Sequence, residues 1–74
     1  MEKYVVVFVG KHDQNQVIAP EGAYMGNSKE QAEQQAKKFS EDIGRFGEYV
    51  HDYNVCVQDE EGKSIMCIPF KSLG

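Results

Sequence analysis

The stretch Tyr4-Val5-Val6-Val7-Phe8-Val9 decides the fold of this chain. Its residue types favour β-strands, and successive side chains of a strand point to opposite faces of the sheet. One face of this strand therefore carries Tyr4, Val6 and Phe8, and the other carries Val5, Val7 and Val9. Because both faces are apolar, the sheet needs cover on both sides.

The size of the chain limits how much cover it can supply. Its 74 residues predict one compact domain over positions 1–74. A domain this small buries only about 60% of the surface that its unfolded chain exposes, and many such domains gain stability by associating. The hydrophobic fraction of 41% falls in patterned runs, which is typical of a folded chain.

One helix is predicted after Asn27. Ser28 is a favourable N-cap, and Gln31 three residues later completes a capping box. An apolar stripe follows at helical spacing: Ala32, Ala36, Phe39 and Ile43. Gly44 stands where a left-handed C-cap is expected.

The remaining strands are predicted from alternation. Apolar and polar residues alternate from Glu48 to Gln58, and the segment from Ser64 to Phe70 returns after a turn at Gly62. Residues 16–19 form either a short strand or part of a loop. The expected fold is α+β, with a single α-helix packed on one face of a three- to four-stranded, mainly antiparallel sheet. Its order is β-β-α-β-β, or β-α-β-β if residues 16–19 are a loop.

The register of the last hairpin determines what lies on the second face. A three-residue turn over residues 60–62 pairs Asp59 with Lys63 and places Cys56 opposite Met66. On this register an apolar patch forms on the face away from the helix, and we expect it to be the interface: Val5, Val7, Val9, Met66, Ile68 and Phe70. In the alternative, residues 16–19 or 22–25 fold over this face and cover it.

The same register decides the state of the two cysteines. With a three-residue turn, Cys56 and Cys67 lie on opposite faces, so two free thiols are expected. A four-residue turn would place them directly opposite each other and permit a disulfide. The spacing matches no redox or zinc motif.

No group of residues predicts catalysis or a cofactor. The chain has no phosphate-binding loop, no dinucleotide fingerprint and no nucleophile elbow. His51 and Asp52 are adjacent on an expected strand and would point to opposite faces, so they cannot share a metal ion. We therefore expect no enzyme, no metal site and no cofactor.

Charge and hydropathy restrict the partners. The net charge of −4 argues against nucleic acid, whose phosphates require clustered Lys and Arg. The first apolar run is too short for a signal peptide, and no segment has the length of a membrane span. A cytoplasmic protein without a membrane partner is expected.

These observations predict a small non-enzymatic protein-interaction or assembly module, homodimeric through the uncovered sheet face. A first alternative is a small acidic inhibitor or adaptor, of the type that phages and mobile elements encode, docking on a larger basic protein. Its contact would include an acidic hairpin tip formed by Asp59, Glu60 and Glu61. A second alternative is a small-molecule binder with a pocket between helix and sheet near Tyr49, His51 and Tyr53.

Overall fold

A computed structural model describes residues 2–71 of the chain. Its elements in chain order are β1 (Tyr4–Gly10), β2 (Val17–Ile18), β3 (Met25–Gly26), α1 (Lys29–Glu41), α2 (Ile43–Phe46), a 3₁₀ helix (Gly47–Tyr49), β4 (Tyr53–Gln58) and β5 (Ser64–Pro69). The sheet has the order β2-β1-β4-β5, β3 also pairs with β1, and every pairing is antiparallel. The α+β fold is confirmed, a short strand is present within residues 16–19 at Val17–Ile18, and β3 is an additional strand.

Helix α1 begins after Ser28 as the sequence predicts, but the capping box is only half formed, because the Ser28 N–H donates to the Tyr24 hydroxyl oxygen at 3.1 Å. The Ser28 hydroxyl oxygen accepts a hydrogen bond from the Gln31 N–H at 3.2 Å, and Ala32, Ala36 and Phe39 are buried. The helix ends earlier than expected, because the backbone at Asp42 leaves helical geometry (φ −91°, ψ 62°). The prediction that Gly44 is a left-handed C-cap is wrong, since Gly44 lies inside α2 and only Gly22 and Gly62 have positive φ among residues 2–71.

The core lies between α1 and one face of the sheet, with Phe8 at its centre. The Phe8 side chain is fully buried. Its ring centroid lies 5.0 Å from that of Phe46, 5.1 Å from Phe70, 5.3 Å from Tyr49 and 6.3 Å from Phe39. Edge-to-face contacts of this kind add to the free energy of burying the rings. The small Ala32 and Ala36 allow α1 to approach the sheet closely.

The β4–β5 hairpin has the predicted turn but a different register. The Asp59 N–H donates to the Lys63 carbonyl oxygen at 3.0 Å, and Gly62 adopts a φ of +81°, as a three-residue turn requires. The register then shifts beside Val57 and Gln58, where Ile65 is the extra residue of a β-bulge. A bulge places two residues of one strand opposite one of the other. Cys56 therefore faces Cys67 instead of Met66.

This shift corrects the predicted interface. Met66 and Ile68 face Val57 and Val55, which belong to the helix side of the sheet, and all four pack in or against the main core. Phe70 is also part of that core. A change of one residue in register moves every side chain to the other face. The six residues expected to form one patch are therefore divided between two surfaces.

Candidate functional site

Two surfaces contain the residues that the sequence assigns to an interface. The first is the second face, the side of the sheet away from α1, which carries Val5, Val7 and Val9. The second is a groove between α1 and β5, which contains Met66, Ile68 and Phe70. We call it the α1–β5 groove.

The second face is largely closed by the chain itself. Val7 is only 4% exposed and Val9 only 7%, although no helix of residues 2–71 packs on this face. Residues 17 and 25 do not fold over this face, because they pair with β1 as strands and extend it: Val17 lies opposite Val9, and Met25 lies opposite Val5. Their side chains are exposed by 44% and 76%. The apolar surface that remains open on this face is therefore at its margin.

A disulfide between Cys56 and Cys67 lies on the same face. The two sulfur atoms are 2.04 Å apart and the two Cα atoms 4.1 Å apart. The expectation of two free thiols is thus wrong, and the bulge at Ile65 is the reason. Cys56 packs with Val7 and Val9 in a small apolar cluster, so the disulfide contributes to the cover of this face.

The α1–β5 groove is open to solvent and has a volume of about 780 Å³. Its apolar floor comes from β5 and the residue that follows it, and polar and charged side chains of α1 form its wall. Met66 and Ile68 are half-buried, and Pro69 is exposed. The lining residues are Glu30, Glu33, Gln34, Lys37, Ser40, Glu41, Met66, Ile68, Pro69, Phe70 and Lys71.

Among the strands of residues 2–71, β5 is the last in the order, so the groove runs beside an edge of the sheet. In antiparallel pairs, residues whose Cα atoms lie about 4.5 Å apart do not exchange backbone hydrogen bonds. The 4.1 Å separation of Cys56 and Cys67 identifies such a pair. The Cys67 N–H and C=O therefore point away from β4 toward the open edge. The hydrogen bonds of β1 agree with this assignment. The Val6 N–H donates to the Tyr24 carbonyl oxygen and the Gly10 N–H to that of Gln16, so these residues point away from β4. Val7 therefore points toward its partner Cys56, and the Cys56 N–H points toward β1 and away from Cys67.

Pro69 limits how far another strand can pair with this edge. It is two residues after Cys67, so its carbonyl also points outward, but proline has no N–H to donate. Proline on an edge strand is a common protection against uncontrolled strand addition. The edge therefore offers a short site centred on Cys67.

The charged side chains of the α1 wall are arranged by sign along the groove. Glu30 and Glu33 lie toward its N-terminal end, and Lys37 lies toward its C-terminal end. Glu41 is 3.9 Å from the Lys71 ammonium group in an exposed ion pair, so these two charges offset each other. The wall is therefore acidic at one end and basic at the other.

The acidic hairpin tip connects the end of β4 to the start of β5. The Asp59 carboxylate accepts hydrogen bonds from the Glu61 N–H at 3.0 Å and the Lys63 N–H at 2.9 Å, so it stabilises the turn. The Tyr4 hydroxyl donates to the Glu2 carboxylate at 2.6 Å. This hydrogen bond is the main cause that raises the pKa of Tyr4, and the negative charges of Glu2, Asp59 and Glu60 act in the same direction. The tip therefore collects acidic side chains where β5 begins, with Lys29 and Lys63 beside them.

The aromatic residues named for a small-molecule site pack against the core and against each other. The Tyr49 ring packs on Phe8 and Tyr53, with centroid distances of 5.3 and 5.5 Å. His51 is exposed and borders a surface cleft of about 740 Å³ together with Lys11, Ile43 and Val50. The small-molecule binder stays a prediction, and this cleft beside His51 is the surface on which to test it.

Within residues 2–71, no three His, Cys, Asp or Glu side chains are grouped so that they could hold a metal ion. No helix in that part of the chain is long and apolar enough to cross a membrane. Comparison with protein-family models, with curated proteins and with solved structures returns no match for this chain.

Proposed function

We propose that this protein is a small non-enzymatic protein-interaction module that receives an extended segment of a partner at the edge of β5. The observation that carries the proposal is the position of the α1–β5 groove beside the outward N–H and C=O of Cys67. Main-chain hydrogen bonds at a strand edge give affinity, and a neighbouring groove for alternate side chains gives specificity.

The partner segment has a defined chemistry. Because strand side chains alternate, every second residue of the segment would point to the helix side and contact Met66 and Ile68. Apolar residues fit these positions, since the floor of the groove is apolar. Only about three residues of the segment pair directly, because Pro69 removes the next donor along the edge. A module of this kind binds reversibly, as small interfaces do.

A selection experiment tests this proposal. The protein is immobilised and panned against a displayed library of random short segments. We expect enrichment of segments with alternating apolar residues, whose binding is lost in Ile68→Lys and retained in Val17→Lys. Val17 provides a matched control because it is a partly exposed strand residue on the second face, away from the groove.

Because Ile68 is half-buried, the folded state of Ile68→Lys is verified by circular dichroism. A second readout does not depend on that variant: in the native protein, the enriched segment should shift the amide NMR signals of Cys67 and Lys37. The absence of enriched segments would overturn the proposal if the protein is monomeric, since a self-paired β5 edge would exclude the displayed segments. Shifts that cluster at Val17 and Met25 would also overturn it.

The acidic-adaptor function remains a second candidate, supported by the negative surface at Asp59, Glu60 and Glu61. It predicts binding of a basic protein that weakens with added salt and with Lys at positions 60 and 61. The same variants leave the α1–β5 groove unchanged, so the two functions are separable.

A further inference from the structure

The α1–β5 groove has a polarity that restricts its occupant further. Helix α1 and strand β5 run in the same direction. At one end, the Lys71 N–H donates to the Ser40 carbonyl oxygen at 2.8 Å. At the other end, Lys29 and Ile65 both line a depression beside the hairpin tip. The acidic half of the wall therefore lies beside the start of β5, and Lys37 lies beside its later half.

A purely basic segment would match Glu30 and Glu33 but would be repelled by Lys37. The complementary surface is one that is basic at the start of β5 and acidic toward its end. An antiparallel copy of the same groove has this order. We infer that the extended segment is β5 of a second copy of this chain, paired antiparallel across a two-fold axis at Cys67. This inference rests on the proposed function and names its partner.

The backbone supports the same arrangement. In an antiparallel pair centred on Cys67, each Cys67 N–H donates to the Cys67 carbonyl oxygen of the other copy. The missing donor of Pro69 lies away from the axis, so both central hydrogen bonds form. An isologous contact of this kind closes on itself after two copies. With Pro69 limiting the paired length, the edge forms a dimer instead of a longer assembly.

The side chains of the two grooves then lie beside each other. Met66 and Ile68 of both copies line one continuous apolar floor between two antiparallel α1 helices. Glu30 and Lys37 are two helical turns apart, so they do not pair within one helix. The two-fold axis brings Glu30 of each copy toward Lys37 of the other, and the alkyl part of Lys37 covers apolar floor.

Exchanging the two charges tests this geometry. Sedimentation equilibrium measures the dissociation constant of the dimer, in a concentration series up to about 1 mM because small interfaces bind weakly. Glu30→Lys and Lys37→Glu should each weaken the dimer about tenfold, because the axis repeats each altered contact. In an equimolar mixture of the two variants, both contacts again join opposite charges. The mixture should therefore form a heterodimer at about the native affinity.

Net charge alone predicts a different pattern. Glu30→Lys changes the net charge from −4 to −2, since −4 + 2 = −2, and would then strengthen self-association. Lys38→Glu is the matched control for Lys37→Glu, because it causes the same change in charge at an exposed position that does not line the groove. This control should weaken the dimer much less than Lys37→Glu does.

Two outcomes would overturn the inference. One is a monomer at every concentration. The other is a dimer whose affinity does not respond to the exchange, which would place the contact on another surface. In either case, an enriched segment that still binds at Ile68 would leave the proposed function standing. A failed selection together with a monomer would remove both.

Discussion

Reduction of the disulfide should lower the stability of this domain by a measurable amount. Cys56 and Cys67 are 11 residues apart in sequence, so the bond closes a short loop in the unfolded chain. The chain-entropy relation gives about 3 kcal/mol for a loop of this size at 25 °C. The unfolded hairpin retains some structure, so we expect a loss of about 2–3 kcal/mol.

We expect the reduced protein still to fold, because the main core does not depend on the disulfide. Phe8 and its aromatic neighbours lie on the opposite side of the sheet from the disulfide. For a domain of 60–100 residues, each 1 kcal/mol corresponds to about 4–8 °C in Tm, so reduction should lower Tm by about 10–20 °C. In the reducing cytoplasm expected from the sequence, the stability of the reduced form would be the relevant one.

Urea unfolding followed by circular dichroism, with and without a phosphine reductant, measures this difference. A variant with Ala at both positions 56 and 67 should show no response to the reductant, which controls for effects of the reagent. If the native protein unfolds at the same urea concentration in both conditions, with mass spectrometry confirming reduction, the loop-closure argument fails. If alkylation finds two free thiols before any reductant is added, the protein as prepared lacks the disulfide, and the prediction of a bond between Cys56 and Cys67 fails.

Three further predictions concern the core, the start of α1 and the hydrogen bond from Tyr4 to Glu2. Phe8→Ala should lower the free energy of unfolding by about 3–5 kcal/mol in urea titrations, whereas the half-exposed Val17→Ala should change it by well under 1 kcal/mol. Ser28→Ala removes the N-cap hydrogen bond and should cost about 1 kcal/mol in the same titrations; a change near zero would mean that the cap contributes nothing. Glu2→Ala removes the acceptor and the charge that raise the pKa of Tyr4, so ultraviolet titration should find this phenol ionising at lower pH; an unchanged curve would refute the assigned cause.

Local signals in the sequence were sufficient for much of the fold. The capping residue Ser28 and the stripe through Ala32, Ala36 and Phe39 located α1, because cap and periodicity agree there. Gly62 located the last turn, since its positive φ is accessible to glycine at low cost. These features depend on neighbours within a few residues, and the sequence contains that information.

The site could not be predicted to the same extent, because it depends on one bulge. The segment from Ser64 to Phe70 fits either register by composition, and the extra residue Ile65 selects between them. The pairing of apolar residues across the hairpin favours the observed register, because it places Met66 opposite Val57 and Ile68 opposite Val55. The turn alone, with Asp59 opposite Lys63, favoured the other register.

Two short segments were also missed. The alternation that begins at Glu48 predicted a strand there, but residues 47–49 form a 3₁₀ helix and β4 starts at Tyr53. Alternation over a few residues does not distinguish a strand from an irregular segment whose aromatic residue packs inward, as Tyr49 does. Strand β3 has only two residues and depends on β1 for its hydrogen bonds, so no local pattern predicts it.

Amide hydrogen exchange at Cys67, measured by NMR over a series of protein concentrations, tests the central claim most directly. In a dilute sample this N–H points toward the open edge and should exchange rapidly, whereas the Val57 N–H inside the sheet should be protected. As the concentration rises, protection of Cys67 should increase with the fraction of dimer. A Cys67 amide that exchanges rapidly at every concentration, in samples that sedimentation shows to be dimeric, would contradict pairing at the β5 edge.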